Sequence, residues 1–290
     1  MSQVFRSLFF APANRPDLVA KFPRFGADCS VIDLEDGTPE REKVEARKAL
    51  AQTVAGARGG ALAGMLTVRV NQPGSPHFLP DLEAAFACDI DGVVIPKLES
   101  PEDLREPEKI VRRQDAGAPR ARPRFVVGGI ESLKGVIHAP VCCAASPVLA
   151  AVYFGAEDFM AEVGGRRTRA GQEVFTARSL VVMAAKAAGL AAIDQAVVDI
   201  RDDALFNEDS RQGLDLGYGG KICVTPGQVK LAHTAFSPSA DEVDYARRLV
   251  AEYARARAEG VGTIDFEGKM VDAPLLKRAE AVLALARQKA

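Results

Sequence analysis

Residues 29–37 read CSVIDLEDG, a short apolar run that ends among three acidic residues and a glycine. Apolar residues at helical spacing follow over Arg41–Val54, and a second apolar run, MLTVRV, occupies Met65–Val70. Strands of a parallel sheet are buried on both faces, so they are continuous apolar runs rather than alternating ones. The stretch therefore predicts a strand, a crossover helix and a second strand parallel to the first.

The same unit recurs along most of the chain. The predicted strands are Ser7–Pro12, Cys29–Leu34, Met65–Val70, Gly92–Leu98, Arg124–Ile130, Ala150–Gly155, Ala196–Ile200 and Gly220–Val224, and a further helix is predicted over Gln172–Ala188. Eight such units predict a closed (β/α)8 TIM barrel over residues 1–237. The alternative is a doubly wound open sheet, which shows the same alternation of strands and helices along the sequence.

The pattern changes after Pro238. One amphipathic helix is predicted over Asp241–Ala258, then a glycine-containing turn over Val261–Lys269, and a last helix over Ala273–Gln288. These elements predict a C-terminal helical arm over residues 238–290, which caps its own barrel or reaches onto a neighbouring subunit.

Composition excludes several classes of partner. The formal net charge is −2, so the composition gives no indication of a basic surface and argues against a nucleic-acid partner. No apolar run approaches the ~20 residues that span a bilayer, and the N-terminus carries no charged-then-apolar signal, so we expect a cytoplasmic protein. The five cysteines show no CxxC spacing, and we expect them to be reduced and mostly buried.

Acidic and basic residues follow most of the predicted strands, where parallel β/α barrels place their chemistry. Glu131 and Asp158 follow neighbouring strands, and no histidine or cysteine stands beside them. Carboxylates alone suit a hard cation, so this pair predicts an Mg²⁺ or Mn²⁺ site. The alternative is that each acid caps the helix after it.

Arg69 emerges from an otherwise apolar strand, so its charge requires a partner. A substrate carboxylate or a developing enolate oxygen would serve. The alternative is a salt bridge to one of the acids after the second strand, Asp33, Glu35 and Asp36. These acids exceed what one metal ion requires, so we expect them to surround the metal ligands or to pair with arginine. Lys97 is a further candidate for an ion pair.

The remaining polar groups carry weaker signals. The three histidines share no motif and indicate surface or packing positions; they are His77, His138 and His233. Arg166, Arg167 and Arg169 form a basic cluster in a glycine-rich segment. A solvated loop is the favoured interpretation of this cluster, with coenzyme A phosphates or an acidic neighbour as alternative contacts.

Seven short motifs occur in one order along the chain: FAPANRPD (10–17), VIDLEDG (31–37), VRVN (68–71), IPKLES (95–100), GIES (129–132), FGAEDF (154–159) and GKMVDAP (268–274). Each alone is weak evidence. Together they closely resemble the citrate lyase β-subunit-like branch of the HpcH/HpaI aldolase superfamily, over essentially the whole chain.

The resemblance implies roles for individual residues. Glu131 and Asp158 match the family's magnesium ligands, with Glu131 also at the substrate, and Arg69 matches the residue that binds the substrate or enolate oxygen. Asp272 resembles the family's acid/base carboxylate, which related lyases take from the neighbouring subunit; the residues alone would make it a helix N-cap. The resemblance also implies a homo-oligomer, a trimer or hexamer.

Two loops resemble segments near the coenzyme A or acyl-chain entrance. They contain Asn14 and Arg15 in one case, and Thr225 and Pro226 in the other. Relatives usually carry histidine where this chain has Thr225, which puts the details of thioester recognition in question but leaves the metal site intact.

The resemblance implies a magnesium-dependent carbon–carbon lyase. Its expected substrates are short 3-hydroxyacyl-CoA thioesters of the malyl, citramalyl or citryl type, cleaved to acetyl-CoA and a keto or aldehyde acid, or formed in reverse. One alternative is a citrate lyase β subunit that acts on an acyl-carrier-protein thioester. A non-catalytic acyl-CoA-binding protein is disfavoured because the set Arg69, Glu131, Asp158 and Asp272 is intact. A 2-keto-acid aldolase is disfavoured because no histidine follows the second strand.

Overall fold

The computed structural model describes residues 4–117, 120 and 122–287. Eight parallel strands form a closed barrel in chain order. They are β1 Ser7–Pro12, β2 Cys29–Asp33, β3 Met65–Arg69, β4 Gly92–Ile95, β5 Phe125–Ile130, β6 Leu149–Phe154, β7 Ala191–Asp194 and β8 Gly220–Cys223. Because β1 pairs with both β2 and β8, the open-sheet alternative is excluded and the barrel prediction is confirmed.

Helices follow the strands. In the first half they are α1 Pro16–Val19, α2 Phe22–Phe25, α3 Lys43–Gly59, α4 Phe78–Phe86 and α5 Arg105–Gly117, with 3-10 turns at Glu40–Glu42 and Pro101–Leu104. In the second half they are α6 Leu133–Cys143, α7 Ala156–Val163, α8 Gln172–Ala187, α9 Asp203–Leu216, α10 Pro226–Ala235, α11 Ala240–Ala258 and α12 Ala273–Arg287. Within the described part of the chain, no helix combines the length and apolarity that crossing a membrane requires.

Seven of the predicted strands overlap observed ones, but the strand predicted at Ala196–Ile200 is wrong. Those residues form an irregular loop, in which Val198 and Ile200 are exposed, and β7 lies earlier at Ala191–Asp194. Gly189, at a φ of +74°, ends α8 two residues before β7. The β-branched residues of the loop imitate a strand, whereas β7 itself contains only one, Ile193.

Inward-facing side chains from every strand fill the barrel. Its core contains Leu8, Cys29, Val31, Met65, Val94, Phe125, Val127, Ala151, Tyr153, Ile193 and Ile222. The cysteine prediction is confirmed: all five are free thiols, and all except the half-buried Cys88 are buried. Burial raises the pKa of the Cys29 thiol to about 12, so it is inert in neutral solution.

A solvent-excluded ionic cluster joins β7 and β8 to the helices outside them. Arg178 of α8 binds Asp194 through two hydrogen bonds, and Lys221 of β8 contacts both Asp194 and Asp209 of α9. The Gln195 side chain donates to Asp209 at 2.9 Å and so extends the cluster towards the C-terminal end of β7.

The chain divides into two compact units at Thr234/Ala235. The second unit has its own apolar core, which includes Leu249, Tyr253 and Val271. The stretch Val261–Lys269, predicted as a turn, contains most of a β-hairpin of β9 Ile264–Phe266 and β10 Lys269–Val271. Glu267 and Gly268 both have positive φ, the conformation that a two-residue hairpin loop favours. Gln288, the predicted end of the last helix, lies outside the described residues.

Candidate functional site

Glu131 stands at the end of β5 in a closely packed setting. Its carboxylate is buried, and its Oε1 accepts hydrogen bonds from the Lys97 backbone N–H at 2.7 Å and the Tyr153 hydroxyl at 3.2 Å. No hydrogen bond from the described residues reaches Oε2. One oxygen is thus fixed by the protein, and the other is left for a ligand.

Two glycines make room for this carboxylate. A Cβ at Gly155 would collide with the Glu131 side chain, and one at Gly129 would collide with the Tyr153 hydroxyl. Gly155 has a φ of −97°, which other residues adopt freely, so the close approach explains glycine here. Glu131 caps no helix: the hydroxyl of Ser132 caps α6 instead, accepting from Gly135 at 3.0 Å. The capping alternative for Glu131 is therefore excluded.

Asp158 lies in the first turn of α7, directly beyond β6. Its Oδ1 is 3.4 Å from the Lys97 ammonium, and its side chain is 40% exposed, in contrast to the buried Glu131. Ile130 and Phe154 pair in register at the ends of β5 and β6, which brings the segments that carry the two carboxylates side by side. Glu131 and Asp158 are called the carboxylate pair below.

Burial governs the charge of the inner acids. It raises the pKa of Glu131 to about 7, with Arg69 opposing the shift and Asp158 adding to it. Burial likewise raises the pKa of Glu35 to about 8, again opposed by Arg69. A cation beside Glu131 would offset the cost of keeping its carboxylate ionised in the barrel.

Arg69 forms the salt bridges that were the alternative to substrate binding. Its Nε and Nη2 each lie 2.7 Å from one oxygen of Asp33, and its Nη1 lies 2.9 Å from Glu35. Asp33 and Arg69 are neighbours in the β2–β3 register. The guanidinium also lies 4.9 Å from the centre of the Phe10 ring. Arg69 is thereby held rigidly at the barrel mouth, the rim formed by the C-terminal ends of the strands.

The acids after β2 differ in their surroundings. Asp33 and Glu35 are buried at the barrel mouth, where both contact Arg69. Asp33 also accepts backbone N–H bonds from Glu35 and Gly37, at 2.9 and 2.8 Å, which shapes the loop. Asp36 is exposed, and its negative charge adds to the rise in the pKa of Glu35. Asp33 and Glu35 are thus the two acids of this segment that pair with Arg69.

The two loops predicted near the coenzyme A or acyl-chain entrance form their hydrogen bonds and ion pairs with residues other than Glu131 and Asp158. Asn14 donates to Glu42 at 2.6 Å, while its buried Oδ1 has no hydrogen-bond partner. Arg15 pairs with Asp17 on the surface. Pro226 is the first residue of α10, where the Thr225 hydroxyl accepts from the Gln228 N–H at 3.3 Å.

The arginine cluster after α7 is largely engaged with acids of this chain. Arg167 contacts Glu157 of α7 and Glu173 of α8, and it donates to Gln195 at 3.2 Å. Arg169 pairs with Asp202 and Glu208. The histidines occupy packing positions: His138 bonds the Glu99 carbonyl, His77 contacts Glu40, and His233 contacts Ser7.

Asp272 belongs to the C-terminal unit, between β10 and α12, and its carbonyl accepts from the Leu276 N–H at 3.0 Å. Sequence reasoning missed Tyr153, whose hydroxyl contacts Glu131. A signal was available, because Ala151 and Tyr153 alternate inward on β6, and a buried tyrosine hydroxyl needs a polar partner.

The carboxylate pair supplies part of the ligand set that a magnesium ion requires. No group of three or more histidine, cysteine or acidic side chains able to hold a metal occurs among residues 4–117, 120 and 122–287. Mg²⁺ requires only one or two protein carboxylates, however, because it retains several waters or binds substrate oxygens. The free Oε2 of Glu131 and the half-exposed Asp158 meet that requirement.

Comparison with known proteins agrees with this architecture. The family model described as HpcH/HpaI aldolase/citrate lyase matches residues 6–226. A citrate lyase subunit beta-like protein of Deinococcus radiodurans is 40% identical, over 96% of each chain. The mitochondrial citramalyl-CoA lyase of Mus musculus is 31% identical, over 97% of this chain and 86% of its own.

A solved structure extends the likeness to three dimensions. The crystal structure of the Mycobacterium tuberculosis protein CitE, in complex with magnesium, acetoacetate and coenzyme A, superposes with a TM-score of 0.78. It is 32% identical to this chain and covers 98% of both chains. The match in sequence, in fold and over nearly the full length means that this chain belongs to the HpcH/HpaI aldolase/citrate lyase family.

Proposed function

We propose that this protein is a magnesium-dependent carbon–carbon lyase that cleaves a short 3-hydroxyacyl-CoA thioester to acetyl-CoA and a keto or aldehyde acid. The observation that carries the proposal is the carboxylate pair at the barrel mouth, with Oε2 of Glu131 left unbonded beside the rigidly held Arg69. Carbon–carbon cleavage is the activity in the names of the family and of the citramalyl-CoA lyase relative. The CitE structure supports magnesium and coenzyme A as ligands.

Glu131 and Asp158 would hold the ion. When bound, magnesium supplies a Lewis acid that offsets negative charge on the substrate's carboxylate and hydroxyl oxygens. Burial makes Glu131 costly to ionise on its own, and the Lys97 N–H and Tyr153 hydroxyl fix its Oε1, so the direction of Oε2 is set before any ligand arrives. Such preorganisation is a large part of electrostatic catalysis.

Two further roles follow from where the electron pair and the proton go during cleavage. As the C2–C3 bond breaks, the hydroxyl loses its proton and becomes a carbonyl, and the bonding pair stays on the thioester as an enolate. Arg69 carries the fixed positive charge that would offset the enolate oxygen, and Asp33 and Glu35 hold its plane in place. Asp272, which resembles the family's acid/base carboxylate, would accept the hydroxyl proton and deliver it to the enolate carbon, giving acetyl-CoA. On the strength of the resemblance, we propose that a neighbouring subunit of a trimer or hexamer supplies Asp272.

Acetyl-CoA release from malyl-, citramalyl-, citryl- and 3-hydroxy-3-methylglutaryl-CoA, with Mg²⁺ and with EDTA, tests the proposal. We expect metal-dependent release from one member of the panel and a loss of about a hundredfold or more in Glu131→Gln. Glu108→Gln on the outer helix α5 is the control and should retain activity. Equal release in Mg²⁺ and EDTA would contradict the proposed mechanism.

A second candidate is a citrate lyase β subunit that acts on an acyl-carrier-protein thioester. It is favoured by the name of the Deinococcus relative, citrate lyase subunit beta-like protein. The same panel separates the two candidates when citryl-acyl carrier protein is added to it. Turnover of the carrier-protein thioester alone, with all four CoA thioesters inert, would establish the second candidate.

A further inference from the structure

Lys97 has an unusual backbone conformation for its place at the barrel mouth. It follows β4 with a φ of +49°, in the left-handed region that disfavours residues with a Cβ. Among the described residues, the other non-glycine positions with positive φ are Ala61, after α3, and Glu267, in the β9–β10 hairpin loop. A strained residue beside a candidate site calls for a functional explanation.

The conformation of Lys97 directs its backbone at the neighbouring strand. The Lys97 N–H donates to Oε1 of Glu131 at 2.7 Å, and the next N–H, that of Leu98, donates to the Gly129 carbonyl at 2.8 Å. The main chain of Lys97 therefore holds the buried member of the carboxylate pair.

The side chain of the same residue reaches the exposed member of the pair. Its ammonium is 3.4 Å from Oδ1 of Asp158, and the two side chains are 35% and 40% exposed. Burial lowers the pKa of Lys97, but Asp158, Glu35 and Glu131 together raise it above the usual lysine value. Lys97 is thus a charged group among three acids that come from the ends of β2, β5 and β6.

We propose that the Lys97 ammonium is a resident counter-cation of the carboxylate pair, which competes with the divalent ion and leaves Asp158 when that ion binds. The inference rests on the proposed function, because it places the ion at Glu131 and Asp158. A divalent ion bound to Asp158 would repel the Lys97 ammonium, because the two cations carry charge of the same sign. The flexible four-carbon stem of lysine, here partly exposed, lets the ammonium move while the backbone N–H stays on Glu131.

The test compares binding of Mg²⁺ by calorimetry, and of Mn²⁺ by electron paramagnetic resonance, in wild type and Lys97→Met. This variant keeps a backbone N–H at position 97 and an unbranched, flexible side chain, but it removes the ammonium. We expect Lys97→Met to bind both ions about two- to fivefold more tightly, the range expected for a partly exposed ion pair. Lys134→Met is the matched control: its ammonium lies 3.3 Å from Glu99, outside the pair, and its removal should change affinity less than twofold.

A weaker or unchanged affinity in Lys97→Met, with wild type binding the ion, would overturn the inference and leave the proposed metal site standing. If neither protein binds a divalent ion, the proposed site fails and the inference fails with it. A second measurement uses wild type alone. Reductive methylation of the Lys97 amine, followed by mass spectrometry, should become faster when Mg²⁺ is added, and protection by Mg²⁺ would contradict displacement.

Discussion

Arg178 and Asp194 form a two-point ion pair from which solvent is excluded on both sides. The Nε–Oδ1 distance is 2.8 Å, the Nη2–Oδ2 distance is 2.5 Å, and both side chains are 0% exposed. The pair joins helix α8 to the end of strand β7, the strand that the sequence pattern misplaced. A buried charge left without its partner is far more costly than a surface one.

Arg178→Met should therefore lower the free energy of unfolding by about 3–5 kcal/mol. Asp194 would retain only Lys221 as a cationic partner, at 2.9 Å. Urea unfolding followed by circular dichroism measures the change. Arg169→Met is the control, because its pairs with Asp202 and Glu208 lie at the surface and predict a loss below about 1 kcal/mol. Equal losses in the two variants would refute a special role for the buried cluster.

The same cluster predicts a pH dependence of stability. Burial raises the pKa of Asp209. The positive charges of Lys221 and Arg178 lower it by a larger amount, so the pKa lies below the ordinary value. A carboxyl with a depressed pKa stabilises the folded state above its unfolded pKa of about 4, and this contribution disappears as the pH falls through the folded pKa. We expect the urea midpoint to fall between about pH 5 and pH 3. Asp209→Asn should start lower and show a shallower slope, and an unchanged slope would remove Asp209 as the cause.

Tyr153→Phe should weaken magnesium binding or turnover about 10- to 100-fold, the usual cost of losing a group that orients a metal ligand. The change deletes only the hydroxyl that donates to Oε1 of Glu131. Calorimetry and the acetyl-CoA release assay measure the two effects. Tyr218→Phe is the comparison, because its buried hydroxyl donates to the Arg178 carbonyl and not to the site. That variant should lose stability while keeping its affinity for Mg²⁺; the reverse pattern would contradict the assignment.

Gly155→Ala should abolish metal binding and also lower stability. The φ of −97° admits alanine, but the added Cβ would collide with both Cβ and Oε2 of Glu131, so the whole Glu131 side chain must shift. Gly56→Ala, inside helix α3 with open space around its Cβ, is the matched control and should stabilise the protein by up to about 1 kcal/mol. Retention of wild-type Mg²⁺ affinity in Gly155→Ala would show that Glu131 is not the ligand.

Most of the barrel was predictable because buried parallel strands are continuous apolar runs and each ends at a turn signal. The exception is β7, four residues long with Asp194 buried at its end. Its charge is tolerated only through Arg178 and Lys221, and sequence spacing reveals neither contact. The following segment, with Val197, Val198 and Ile200, offers a stronger β signal but lies in a loop.

The acidic residues of the candidate site were predictable from the sequence, whereas the contacts that arrange them were less so. Inward-facing positions alternate along β5 from Val127 through Gly129 to Glu131, so the place of Glu131 follows from the period of a strand. The role of Lys97 does not, because a left-handed lysine backbone and a contact with Asp158 arise only from packing between loops. For Asp272 the residues alone indicate only a helix start, and its catalytic role remains a proposal.

The pairing of β1 with β8 has a consequence for the order of events at the ribosome. Ser7 meets Lys221 in the register, and at Gly220 a side chain would collide with the Phe5 backbone, so this seam closes tightly. At about 5–20 residues per second, synthesis of the intervening chain takes on the order of 10–40 s. During that interval β1 has one neighbour, β2, and an open edge that can pair with other nascent chains. Conditions that slow translation of the second half should therefore increase aggregation, and chaperones that shield the first strand should reduce it.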